Sequence, residues 1–226
     1  MIENKSIALI IPCYNEEEGL KTLLPKIPKF IDEIIIVDNN SSDSTADIAK
    51  SYDCTVLFEK KSGYGAAYKC GFNAVTKDIV VTMDGDDTYP IEEVQENIEI
   101  LLKNNYDFIS CSRFPLRNRK AMNFSNKIGN YILTITTKIL FGTGLKDSQS
   151  GMWIFKKSIF EKIFPTSDGM PLSQEIKLLA ILHDEVEFYE TKINYHHRIG
   201  EVKLNKWRDG FSNLIFLFKM RFIKKI

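Results

Sequence analysis

Five short apolar runs, separated by helix-forming stretches, limit what this 226-residue chain can fold into. They lie at residues 7–12, 33–37, 54–58, 79–83 and 108–111. Each is of strand length and apolar almost throughout, the pattern of a strand buried on both faces. Between them the sequence predicts helices over 16–24, from the 42–44 turn to about 52, over 66–75 and over 90–104. Pro25 and Pro28 stop the first, and Ser42, Asp43 or Ser44 can cap the second. Pro90 opens the fourth, where its missing N–H costs nothing. Strands alternating with helices make a mainly parallel central sheet flanked by helices, an α/β fold. Ligands of such sheets bind at the carboxyl ends of the strands.

Three of those ends carry polar clusters: Tyr14-Asn15-Glu16, Asp38-Asn39-Asn40 and Asp84-Gly85-Asp86. The last is the most informative. A buried strand empties into Asp84, Asp86 and Asp87 around one glycine, and Gly85 lets a ligand approach the backbone closely. Two hard oxygen donors at this spacing suit Mg²⁺ or Mn²⁺, ions that keep the phosphates of a substrate as further ligands. Asp and Gly also favour ordinary surface turns. Position after a buried strand favours a metal–diphosphate site.

Beyond residue 113 the pattern changes. One or two amphipathic helices are expected over 120–140, a short strand over 153–155, a helix over 172–183, an alternating strand over 186–193 and a basic amphipathic helix over 205–226. No repeat or linker divides the chain. A single domain over 1–226 is expected, with 1–112 as a ligand-binding half and 113–226 as a second half.

Net charge is zero but unevenly placed. Residues 113–140 hold six Lys/Arg and no acid, and 203–226 hold seven Lys/Arg and one Asp. Both stretches are rich in Ile, Leu, Phe and Tyr, which points to an anionic lipid surface or a membrane-bound phosphate. No nucleic-acid recognition motif accompanies them. No run reaches the ~20 apolar residues of a membrane helix, and the N-terminus has no secretory pattern. Cys13, Cys54, Cys70 and Cys111 are scattered, as in reduced cytosolic proteins. A cytoplasmic protein, peripheral at the cytoplasmic face of a membrane, is expected. His183, His196 and His197 have no metal-ligand spacing.

The ordered segments Ile11-Pro-Cys-Tyr-Asn-Glu-Glu, Ile36-Val-Asp-Asn-Asn-Ser-Ser-Asp43, Gly63-Tyr-Gly-Ala-Ala66, Asp84-Gly-Asp-Asp-Thr-Tyr-Pro90, Ser112-Arg-Phe114, Asp147-Ser-Gln-Ser-Gly-Met152 and Arg198-Ile-Gly-Glu-Val-Lys-Leu204 carry a resemblance. Together the chain resembles family 2 glycosyltransferases of the GT-A fold, and among them the dolichyl- or polyprenyl-phosphate sugar synthases. The resemblance implies a nucleoside-diphosphate sugar donor, GDP-mannose or UDP-glucose. Pro12, Tyr14 and Glu16 would line the base and ribose pocket beside Asp38, and Asp84, Gly85 and Asp86 would face the diphosphate, with the metal on Asp84 and Asp86. Tyr14 as a core-edge aromatic and Glu16 as a first-turn acid favoured by the helix dipole are the plainer alternatives. Arg198 and Lys203 would join Asp86 as catalytic residues by stabilising the leaving group. Otherwise they are a solvated face. Val202 and Thr88 depart from the usual residues of the family.

The acceptor decides which other side chains are needed. A sugar hydroxyl requires a general base, for which Glu175 or Asp147 are the candidates. A lipid monophosphate, with a second pKa near ~6, is largely ionised at pH 7 and requires only cations. Arg113, Arg117 and Arg119 supply forks suited to an acceptor phosphate, just before the amphipathic helices. The sequence therefore predicts inverting transfer of a hexose to polyprenyl or dolichyl phosphate at a membrane surface, with a membrane-anchoring partner protein as one way of holding it there. Two rivals remain. One is transfer to a glycan hydroxyl, and the other is a non-catalytic, nucleotide-sugar-binding protein of the membrane surface.

Overall fold

Side chains alternate across a strand, and the first strand divides the core accordingly. In a computed structural model of the protein, which describes residues 1–118, 120–203 and 206–223, β1 (Ile7–Cys13) sends Ile7, Leu9 and Ile11 to one face and Ala8 and Ile10 to the other. The first set packs under α1 (Glu17–Leu23) and α4 (Val94–Lys103) through Leu20, Leu23, Val94, Ile98 and Leu101. The second packs under α3 (Tyr64–Ala74) and α6 (Leu172–Leu182) through Tyr68, Phe72 and Ile176.

β2 (Glu33–Asp38), β3 (Thr55–Phe58) and β4 (Ile79–Thr82) complete a parallel set with β1, and α2 (Thr45–Ser51) links the second to the third. β5 (Phe108–Ser112) does not pair with β4. Between them lies β6 (Trp153–Lys156), antiparallel to both, and β7 (Phe188–Lys192) closes the edge parallel to β5. The seven-stranded order is β3-β2-β1-β4-β6-β5-β7. The chain runs outward from β1 to β3 and returns to β4 on the other side, so the loops after β1 and β4 part there and leave a crevice.

Helical expectations hold with shifts at the ends. The region 120–140 forms one helix, α5 (Phe124–Phe141), ended by Gly142 in the left-handed region at φ 66°. The fourth helix is preceded by a 3₁₀ turn, Ile91–Glu93, directly after Pro90. Before α2, Asp43 accepts from the Thr45 amide at 3.0 Å, while the N-cap residue, Ser44, makes no side-chain capping bond. The C-terminal helix, α7 (Lys206–Phe222), packs on α5 and α6 through Leu133, Leu178, Leu217 and Met220. Among the described residues no helix is long and apolar enough to cross a membrane.

Candidate active site

Three strand-end loops are laced into one wall. Asn15, at φ 54°, accepts the Ser42 amide at 2.7 Å and donates its own amide to Ser41 Oγ at 2.9 Å. Buried Asp38 accepts the Ser41 amide at 3.0 Å. Asn39 donates to the Glu59 and Lys61 carbonyls and accepts the Gly63 amide at 2.8 Å, which ties the turn after β2 to the start of α3. Beside this wall Pro12 is half-buried and Tyr14 is 49% exposed, an aromatic face open to solvent.

The acidic turn is held from beneath by α1. A Cβ on Gly19 would stand 2.1 Å from the Gly85 carbonyl oxygen, so only glycine lets the helix sit there. A Cβ on Gly85 would meet Cys13 Sγ at 2.9 Å. Asp86 Oδ1 accepts from the Thr88 amide at 3.1 Å and hydroxyl at 2.6 Å. Thr88 thus orients Asp86. Asp87, at φ 60°, turns away to pair with Lys26 at 2.5 Å.

Arg198 spans the site. Its Nη1 lies 2.5 Å from Asp86 Oδ2 and its Nη2 2.5 Å from Glu16 Oε1. Lys203 Nζ is 3.0 Å from the same Glu16 oxygen and donates to the Asn15 carbonyl. Both cations ride on a strap laid along the acidic loop. Asn194 donates twice to Glu93 Oε1, the His196 amide donates to the Thr88 carbonyl at 2.8 Å, and the Ile199 amide donates to the Asp86 carbonyl at 3.0 Å. Arg198 and Lys203 are therefore part of the acidic cluster, not a solvated face.

Among the described residues Asp84 receives only a long contact from the Tyr64 hydroxyl, 3.4 Å to Oδ1. Burial, and next the charge of Asp86, push its carboxyl up to about 7. Burial also raises Glu16, against the pull of Arg198, and Glu16 Oε2 is buried with no hydrogen-bond partner among the described residues. The cluster thus holds more carboxylate than its cations satisfy. Hard oxygen donors with unbalanced negative charge fit a divalent cation. Among the described residues no three His, Cys, Asp or Glu side chains form a metal cage. Asp84 and Asp86 would hold such an ion, with oxygens of substrate or water as its other ligands.

The expected acceptor residues are placed differently. Arg113 does not offer its fork to a ligand. It is 7% exposed and donates Nε at 2.7 Å and Nη2 at 2.9 Å to the two oxygens of Asp147. Both branches of its fork are thus engaged by that carboxylate. Burial alone would raise the Asp147 carboxyl, but Arg113 outweighs it and holds the group down at about 2. Glu175 accepts from Thr166 Oγ1 at 2.7 Å and the Ser167 amide at 2.8 Å, and these bonds lower its pKa despite burial. Neither acid is poised to take a proton. Arg117 is exposed, and Arg119 lies outside the described residues.

Sequence reading missed Gly151, Tyr64 and Lys177. A Cβ on Gly151 would stand 2.4 Å from Tyr64 Oη and 3.3 Å from Asp84 Oδ1, so this glycine makes room for the phenol beside the carboxylate. Fully buried Lys177 donates to the Asp147 and Ser150 carbonyls and holds that loop in place. The segments Gly63-Tyr-Gly65 and Asp147-Ser-Gln-Ser-Gly151 marked the loops but not the side chains that meet there.

Residues 8–164 match the model of glycosyl transferase family 2. The chain belongs to that family. It is a glycosyltransferase. Similar proteins include the low-salt glycan biosynthesis hexosyltransferase Agl6 of Haloferax volcanii, 27% identical over 94% of this chain and 53% of that one. A dolichyl-phosphate hexose transferase of the same organism is 29% identical over 90% of this chain and 89% of its own length. The UDP-N-acetylglucosamine–dolichyl-phosphate N-acetylglucosaminyltransferase of Methanococcus voltae is 30% identical, over 69% and 71% respectively. The chain thus spans about half of Agl6 and most of the other two. Among solved structures, glucosyl-3-phosphoglycerate synthase of Mycobacterium tuberculosis, in complex with Mn²⁺, UDP and glucosyl-3-phosphoglycerate, superposes with a TM-score of 0.73 at 19% identity, over 96% of this chain and 80% of that one. This glycosyl transferase family 2 chain has the GT-A fold.

Proposed function

We propose that this glycosyltransferase moves a hexose, mannose or glucose, from a nucleoside-diphosphate sugar to a polyprenyl or dolichyl phosphate, with inversion at the anomeric carbon. One observation carries the choice of acceptor. The two acids that could have served a hydroxyl acceptor as general base, Asp147 and Glu175, are both committed to other partners and both lowered. A phosphate monoester with a second pKa near ~6 arrives already ionised and needs no base. The dolichyl-phosphate transferases among the relatives support the same class.

In this reading the wall of Pro12, Tyr14, Glu16 and Asp38 takes the base and ribose. Asp84 and Asp86 hold Mg²⁺ or Mn²⁺, which when bound offsets charge on the departing diphosphate. Arg198 and Lys203 stand within the same cluster to stabilise that charge as the bond to the sugar breaks. Arg117 and Arg119 hold the acceptor phosphate in place of the occupied Arg113. A membrane surface, at the cytoplasmic face, supplies the acceptor.

A panel of nucleotide-sugars offered with Mg²⁺ or Mn²⁺ and a short polyprenyl phosphate tests this. Donor should be consumed only with lipid phosphate present, and the product should release free sugar in mild acid, as a glycosyl phosphate does. An acid-stable glycoside formed on a glycan would reject the reading. Undiminished transfer by both Arg117→Ala and Arg119→Ala would remove the acceptor-phosphate assignment.

A further inference from the structure

We infer that Arg198 is a built-in counter-cation that makes divalent-ion binding depend on the donor nucleotide. The inference rests on the donor site proposed above and concerns its regulation. The guanidinium bridges Asp86 and Glu16 at 2.5 Å each, while Lys203 adds a second cation to Glu16 at 3.0 Å. Asp86 Oδ1 is already taken by Thr88, so Oδ2 is the oxygen left for an ion, and Arg198 sits on it. An ion arriving alone must break the Asp86 half of this close, partly buried bridge and leave the guanidinium only Glu16, an anion it shares with Lys203. That exchange gains little.

A nucleoside diphosphate changes the balance. Its phosphate oxygens are bidentate partners for a guanidinium, so Arg198 can leave Asp86 for the diphosphate as the ion takes its place. The backbone need not open for this. Ile199 N and His196 N stay bonded to the Asp86 and Thr88 carbonyls, and Gly200, at φ 81°, turns the chain back beyond them. Arg198 is 23% exposed, so its side chain can swing while its Cα stays fixed. Lys203 remains on Glu16, whose second oxygen has no hydrogen-bond partner among the described residues, and keeps that acid neutralised during the exchange. Ion and nucleotide then bind cooperatively, each removing an obstacle to the other.

Titration calorimetry of Mn²⁺ into the full chain, with and without UDP or GDP, tests the idea. The wild type should bind Mn²⁺ at least about tenfold more tightly with nucleotide than without, the size expected from one close charge pair at a partly exposed site. Arg198→Ala should bind Mn²⁺ more tightly than wild type when nucleotide is absent, should bind nucleotide less tightly, and should lose most of the coupling. Should Arg198→Ala not fold, Arg198→Gln carries the same expectation. Equal Mn²⁺ affinity with and without nucleotide in the wild type would overturn the inference, as would weaker nucleotide-free binding in the variants. Because the readout is ion binding, an error about the lipid acceptor would leave this result untouched. An error about the donor class would appear as no nucleotide binding at all.

Discussion

At the scale of residues, Asp84, Asp86 and Glu16 define a site with more negative charge than its own cations balance. Asp84→Asn and Asp86→Asn should each cut turnover by roughly 10²–10³, the range for losing one preorganised electrostatic group, with the fold unchanged by circular dichroism. Asp147 makes a separate prediction about pH. Arg113 depresses its folded-state pKa to about 2, below the unfolded value of about 3.9. Its stabilisation is therefore complete above pH ~4 and is lost as pH falls through about 2. Asp147→Asn should flatten that acid limb in chemical denaturation, and should cost about 3–5 kcal/mol near neutral pH because Arg113 is left buried and unpaired. Asp84 and Asp86 were legible from the sequence because local spacing places them. The Arg113–Asp147 pair was not, since 34 residues separate the partners and a run of cations reads as an open basic patch until its counter-ion is seen.

Among elements, two glycines set how closely helices approach the sheet. A Cβ on Gly71 would lie 2.6 Å from Ile10 Cγ2 and 3.1 Å from Val37 Cγ2, which locks α3 onto β1 and β2. Gly71→Ala should lower stability by about 1–3 kcal/mol, as overpacking does, read as a shift in denaturant midpoint. Gly19→Ala, with its Cβ 2.1 Å from the Gly85 backbone carbonyl oxygen, should lower stability by more than Gly71→Ala does and also raise the KM for donor. The alternation of strands and helices through β5 followed from apolar runs and proline positions. The place of β6 did not. Its four residues are separated from β5 by the 40 residues 113–152 and slip between β4 and β5, a pairing set by buried Trp153, Ile154 and Phe155 rather than by any local signal.

On the scale of the molecule, strands from residues 1–112 and 113–226 share one sheet, and the second part contributes α5 and α7. These helices carry exposed apolar stripes, Phe124, Ile128, Tyr131, Ile132 and Ile139 on one and Trp207, Phe211, Ile215, Phe218 and Phe222 on the other. Together they contain six Lys/Arg and one Asp. A surface of that kind suits an anionic bilayer. The protein should co-sediment with vesicles containing anionic lipid, and Trp207→Ser with Phe211→Ser should weaken this by about tenfold or more, since each buried aromatic contributes ~1.5–3 kcal/mol. The basic, aromatic composition made this surface legible, while the strap that returns Arg198 to Asp86 depends on contacts 112 residues apart. The most direct test of the proposed reaction is the acid lability of the product formed from nucleotide-sugar, divalent cation and polyprenyl phosphate. The expected product is a lipid-linked sugar released by mild acid and lost in Asp84→Asn; an acid-stable product, or transfer that ignores the lipid phosphate, would overturn the proposed reaction.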